Sequence, residues 1–226
     1  MKIIHIALLG FLFTSASCDD AANEVNPNEN DQMVKQINEF PIEPLNDSEG
    51  AALIFMREEE KLARDVYDFL FGKWNSISFD NISSSEQTHM DAVLALINKY
   101  ELEDPAKNDI PGKFVNSDLQ MLYNDLIEKG NLSQVDAFKV GAAIEEIDIL
   151  DLQRELDTNV DNEDIIFTFE NLLRGSRNHL RSFVQNLSKL GIDYKPQYLT
   201  QEAYDEIINV DMEQGRGARK GKGRNN

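Results

Sequence analysis

The chain of 226 residues is short of the groups on which many protein chemistries depend: it has one cysteine, three histidines and one tryptophan. A lone Cys18 excludes an intramolecular disulfide and a paired-cysteine electron-transfer centre. Basic residues are also scarce. Twenty-two lysines and arginines stand against 41 acidic residues, giving a formal charge of −19. That balance disfavours nucleic acid as a partner and makes cations the natural ones. Strand-like alternation is weak, no strand-to-helix glycine turn suggests a nucleotide fold, and no internal repeat is evident.

A long hydrophobic run is missing as well. The opening residues MKIIHIALLGFLFTSASC hold a short apolar stretch after Lys2, the layout of an export signal over residues 1–17 rather than of a membrane span. Cys18 follows the small residues Ser15, Ala16 and Ser17. The stretch resembles a bacterial lipoprotein signal, in which that cysteine carries the lipid, although Ser15 stands where such signals usually have leucine. Plain secretion to the periplasm or medium and a retained anchor are the alternatives to a lipoprotein of the bacterial cell envelope. Cleavage would remove His5 and leave His89 and His179 as the mature chain's histidines. Residues 18–47 open on the polar, acidic DDAANEVNPNENDQ and read as an N-terminal spacer. Residues 211–226 form a basic, glycine-rich tail, either solvated or in contact with acidic lipid or the protein's own acidic surface.

Between these ends, residues 48–210 show persistent helical spacing. One long helix is expected over about 48–71. A second should begin at the serines, where Ser83 and Glu86 have capping-box spacing, and run to about Tyr100. Pro105, Pro111 and Gly112 mark a loop over 101–115. A short helix then ends at Gly130, Ser133 opens a helix of about 24 residues, and another long one covers about 163–190. A short helix around Gln201–Ile208 completes the series. The expected fold is all-α: a four-helix bundle with a long crossover that contains a short helix.

Each apolar stripe carries polar residues where a core would not. Glu60 follows Met56 and precedes Ala63, Tyr67 and Leu70. Glu86 and His89 lead into Val93. Glu145 and Asp148 lie between Gly141 and Leu152, and Ser176 and His179 continue the line from Phe169 and Leu172 toward Phe183. Four carboxylates and two imidazoles from four helices would then face one interior. Such acids repel one another and resist desolvation, and two divalent cations would neutralise them. Glu58 and Glu59 compete with Glu60 for the inward position, Glu146 competes with Glu145, and Asp151 with Asp148. A hydrogen-bonded structural network is the bland counterpart.

The segments MREEEKLARDVY, SEQTHMDAV, VGAAIEEIDILDL and LRGSRNHLRSF resemble domain-of-unknown-function family 2202 of the ferritin-like superfamily, over residues roughly 50–190. Glu60, Ala63, Arg64 and Tyr67 also resemble the first metal-site helix of rubrerythrin-type proteins. The resemblance implies a ferritin-like bundle whose metal ligands are Glu60, Glu86, His89, Glu145, Asp148 and His179. Ser176 stands where the ferritin-like pattern has glutamate, three residues before its histidine. That departure implies either an open coordination position or a weakened site.

Oxygen-rich ligation with two histidines suits iron or manganese, with zinc as a further option. The resemblance implies oxidation of ferrous iron by oxygen or peroxide, or reduction of peroxide. Tyr67 is the candidate hydrogen-bonding or redox-active phenol. Arg64, Arg177 and Arg181 are expected to orient site carboxylates from behind, with Ser176 beside the ligands. Expected partners are metal ions, oxygen or peroxide, a membrane through lipidated Cys18, and a second copy in a homo-oligomer. A non-enzymatic envelope bundle that sequesters metal or binds another protein is the other class of function.

Overall fold

The computed structural model describes residues 27–215. The expected leader, Cys18 and tail residues 216–226 lie outside the described residues. Seven helices occur among those described: α1 (Pro27–Glu39), α2 (Asp47–Trp74), α3 (Ile77–Lys99), α4 (Ser117–Gly130), α5 (Gln134–Thr158), α6 (Glu163–Lys189) and α7 (Gln201–Ile208). None is long and apolar enough to cross a membrane.

Local chemistry sets the boundaries of the long helices. Asn46 caps α2 by accepting from Glu49 N, and the Glu49 carboxylate returns a bond to the Asn46 N–H, closing a capping box. The same carboxylate accepts from Asp161 N and Asn162 N, which ties the start of α2 to the start of α6. At its other end α2 stops on Asn75, whose left-handed conformation (φ 52°) suits asparagine. Only Asn75 and Ser76 separate α2 from α3, so the two must run antiparallel. Ser133 caps α5 through Asp136 N, and a four-residue turn joins α5 to α6. α2 packs chiefly on α3 and α5 on α6, while α4 crosses from one pair to the other. The result is a helix bundle with its crossover between α3 and α5.

The core is a continuous apolar cluster drawn from all four long helices. Near its middle, the Tyr67 ring lies 5.2 Å from Phe183, and Phe79 stacks on Phe138 at 5.1 Å between centroids. A Cβ on Gly141 would stand 2.6 Å from the Phe183 ring, so a glycine there permits α5 and α6 to close on this aromatic group.

Two sequence expectations need correction. α3 begins at Ile77, six residues before Ser83; Ser83 is buried within the helix and donates to Asp68. Phe79 and Ile82 are buried and extend the stripe toward Glu86, which explains the earlier start. The expected spacer also contains α1, whose Ile37 is buried and whose last turn receives the Lys99 ammonium on the carbonyls of Ile37 and Phe40.

Candidate metal centre

The six expected ligands converge in the bundle interior. Glu60 comes from α2, Glu86 and His89 from α3, Glu145 and Asp148 from α5, and His179 from α6. None is more than 7% exposed. Three- and four-residue spacing places each on a stripe of buried apolar side chains, so burying the stripe carries the polar groups inward.

Their atoms form two triads that share one member. Glu60, Glu86 and His89 offer ligand atoms within 4.8 Å of one another, as do Glu86, Glu145 and His179. Glu86 Oε2 lies 2.8 Å from His89 Nδ1, and Glu86 Oε1 lies 2.9 Å from His179 Nδ1. Glu60 Oε2 stands 3.1 Å from the same His89 nitrogen, and Glu145 Oε2 stands 3.5 Å from His179 Nδ1. The two imidazoles stack with centroids 5.6 Å apart. His179 Nε2 meets Ser85 Oγ at 3.0 Å, a contact that turns the opposite ring nitrogen toward the cluster.

Electrostatics show how crowded this interior is. Burial pushes the Glu60 carboxyl up to about 8 against the opposing pull of His89. Burial also raises Glu145 and Asp148, and neighbouring carboxylates add to the effect. Glu86 moves the other way: burial opposes its ionisation, but His179 and His89 hold it well below the ordinary carboxylate range. Burial would lower both imidazoles, yet Glu86 and Glu145 lift His179 to about 10, and Glu60 and Glu86 raise His89 well above its usual value. Protons thus act as the balancing charge where no other cation does.

Asp148 lies beside the triads rather than within either. Its Oδ2 accepts from the Ser176 hydroxyl, which also contacts the Leu172 carbonyl oxygen at 2.9 Å. Ser176 of α6 therefore orients a carboxylate of α5. Tyr67 donates to Glu145 Oε1 at 2.5 Å, and burial followed by the Glu145 charge raises its phenol well above the usual value.

The three arginines serve other parts of the molecule. Arg64 binds Asp65, Asp109 and Gln87, fastening the crossover loop. Arg177 and Arg181 bind Glu213 of the segment after α7. The competing acids also have distinct tasks. Glu58 accepts from Val115 N and Asn116 N at 2.5 and 2.8 Å, and Glu146 collects the N–H groups of Gln197, Tyr198 and Leu199. Sequence reasoning missed two residues that shape the centre, Ser85 and Gly175. A Cβ on Gly175 would stand 2.6 Å from Cε1 and Nε2 of His89, so α6 must offer a glycine for that ring to fit. The lone glycine in LLRGSRNHL was the available signal.

The donor set fits divalent metal. Glu60 Oε1, Asp148 Oδ1 and His179 Nδ1 are buried without a hydrogen-bond partner. The last is close to Glu86 but not aligned to bond with it. Oxygen and imidazole donors clustered in this way match what iron, manganese and zinc accept.

Residues 49–211 match the family model described as "Uncharacterized protein domain (DUF2202)". The chain is 52% identical over 183 residues to the uncharacterized protein MJ0754 of Methanocaldococcus jannaschii, covering 81% of this chain and 98% of the relative. It also resembles the crystal structure of the hypothetical protein MJ0754 from Methanococcus jannaschii, with a TM-score of 0.75 and 53% identity. That alignment covers 77% of this chain and 99% of the other.

Proposed function

The chain belongs to the DUF2202 family, and from the two triads its helices build we propose that it is a carboxylate-bridged dinuclear metal protein of ferritin-like architecture. Its proposed work is oxidation of ferrous iron or reduction of peroxide. The observation that carries this reading is the sharing of Glu86: one carboxylate presents an oxygen to each of two imidazoles. Bridging two cations is the role such a placement suits.

In this reading Glu60 and His89 complete one position, Glu145 and His179 the other, and Asp148 adds a carboxylate from the Ser176 side. Iron or manganese, when bound, supplies one-electron chemistry toward oxygen or peroxide. The chain's own groups prepare the place. Tyr67 holds a proton on Oη against Glu145, which orients that carboxylate and keeps a phenol next to the centre. Ser85 and Gly175 fix the two imidazole rings. The surrounding apolar core excludes bulk water and strengthens every charge interaction inside. Ser176, shorter than the glutamate of the ferritin-like pattern, marks the face assigned to the small oxidant. The leader sequence supports placement outside the cytoplasm with a lipid on Cys18.

A metal-free structural bundle is the competing reading, favoured by the hydrogen bond between His89 and Glu60. It leaves the unpartnered oxygens of Glu60 and Asp148 without a purpose. Anaerobic ferrous titration of the metal-free protein, followed by addition of peroxide or oxygen, separates the two. The dinuclear reading expects two equivalents bound and an absorbance change on oxidation. A protein that stays folded, binds no iron and shows no optical change would refute it.

A further inference from the structure

The buried centre needs a way in for its cations, and one face of α5 is built as a graded series of acids. Glu145, Asp148 and Asp151 follow one another at three-residue spacing. Glu145 is 2% exposed and Asp148 6%, while the Asp151 side chain reaches 17%. Glu59 of α2 faces this series, with Asp151 within hydrogen-bond reach and Asp148 beside it. Glu59 is itself buried, yet it belongs to neither triad.

Two of these acids carry oxygens that the protein leaves unanswered. Glu59 Oε2 and Asp148 Oδ1 are both inaccessible and without hydrogen-bond partners. Leaving a buried polar oxygen unpaired forfeits the hydrogen bonds it would make with water. Glu58, next in sequence, shows what a structural carboxylate does in this fold: it accepts two loop N–H groups. Glu59 Oε2 accepts no such N–H. At the outer end, Asp151 pairs with Arg154, whose side chain is 53% exposed. An ion pair so open to water is weak and easily exchanged.

We propose that Glu59, Asp148 and Asp151 form an entry route that takes a divalent cation from the surface between α2 and α5 to the dinuclear centre. Asp151 captures the hydrated ion in exchange for Arg154, Glu59 receives it within the bundle, and Asp148 passes it to Glu60 and Glu145. The route rests on the dinuclear reading; Glu59 and Asp151 serve loading alone, and Asp148 is where the route joins the centre.

Stopped-flow mixing of metal-free protein with Co²⁺, read by cobalt absorption, tests it alongside the final stoichiometry. Glu59→Gln and Asp151→Asn should each slow loading about tenfold, the scale on which local fields alter association rates, with two equivalents still bound at equilibrium. Asp157→Asn, an exposed acid near the end of the same helix, should load at the wild-type rate. Asp151 lies at the rim, so its variant stays informative even where Glu59→Gln folds poorly. Wild-type loading rates in both Glu59→Gln and Asp151→Asn would overturn the route and leave the dinuclear reading intact. Loss of a bound equivalent in Glu59→Gln would also overturn it, by making Glu59 a ligand. Failure of the wild-type protein to bind Co²⁺ at all would strike the dinuclear reading itself.

Discussion

Glu86 sits between two histidines, its Oε2 2.8 Å from Nδ1 of His89 and its Oε1 2.9 Å from Nδ1 of His179. No other carboxylate of the cluster belongs to both triads. Removing its charge should therefore damage both metal positions, whereas Glu60 serves one. Elemental analysis should find two metals per chain in the wild type, about one in Glu60→Gln and close to none in Glu86→Gln. Glu128→Gln, on an exposed position, should match the wild type. Glu58 cannot serve as that control because its carboxylate holds the crossover loop.

Gly175→Ala should act on the metal without touching a ligand directly. Its new methyl would stand 2.6 Å from the His89 ring, and overpacking of this kind costs about 1–3 kcal/mol. The variant should melt at lower temperature and bind metal about tenfold more weakly, as for other changes that disturb ligand orientation. Wild-type metal affinity in Gly175→Ala would show that the ring position does not matter.

Protonation gives a third expectation. His179 is raised to about 10 and Glu60 to about 8 in the folded, metal-free chain. Each binds its proton more tightly folded than unfolded, so each stabilises the fold below its unfolded value and loses that contribution as pH rises through its folded value. The metal-free protein should therefore lose stability as pH rises from about 4.5 to 10. Metal must displace these protons, so calorimetry at pH 7 in buffers of differing ionisation enthalpy should detect proton release on loading. Metal-free stability that rises over this interval would contradict the assignment.

Tyr67→Phe should keep the fold, because the ring's packing on Phe183 and Phe79 is retained. It removes the bond to Glu145 Oε1. Loss of an outer hydrogen bond of this kind typically weakens metal binding about 10- to 100-fold. Equilibrium competition with a chelator measures the change, and unchanged affinity would remove Tyr67 from the support of the centre.

The burial of these acids and histidines was legible because helical periodicity is local: Glu60, Glu86, His89, Glu145, Asp148 and His179 interrupt apolar stripes that the chain must bury. The uses of neighbouring charges were not legible, because their partners are distant in sequence. Glu58 and Glu60 lie side by side in MREEEK, yet one holds a loop some 57 residues away and the other meets His89. Arg177 and Arg181 likewise take their meaning from Glu213, beyond α7. The start of α3 was obscured by serines that imitate a cap, although Phe79 and Ile82 already carried the buried stripe. Gly175 could be seen as a glycine but not as the space for a particular imidazole, which depends on how α3 and α6 pack.

In the proposed centre one glutamate joins two metal positions inside the bundle. Its most direct test is an anomalous-difference map from crystals grown with ferrous or manganous ion, recorded at that metal's absorption edge. Two peaks are expected, one among Glu60, Glu86 and His89 and one among Glu86, Glu145 and His179. A single peak away from Glu86, or no interior peak at saturating metal, would contradict it.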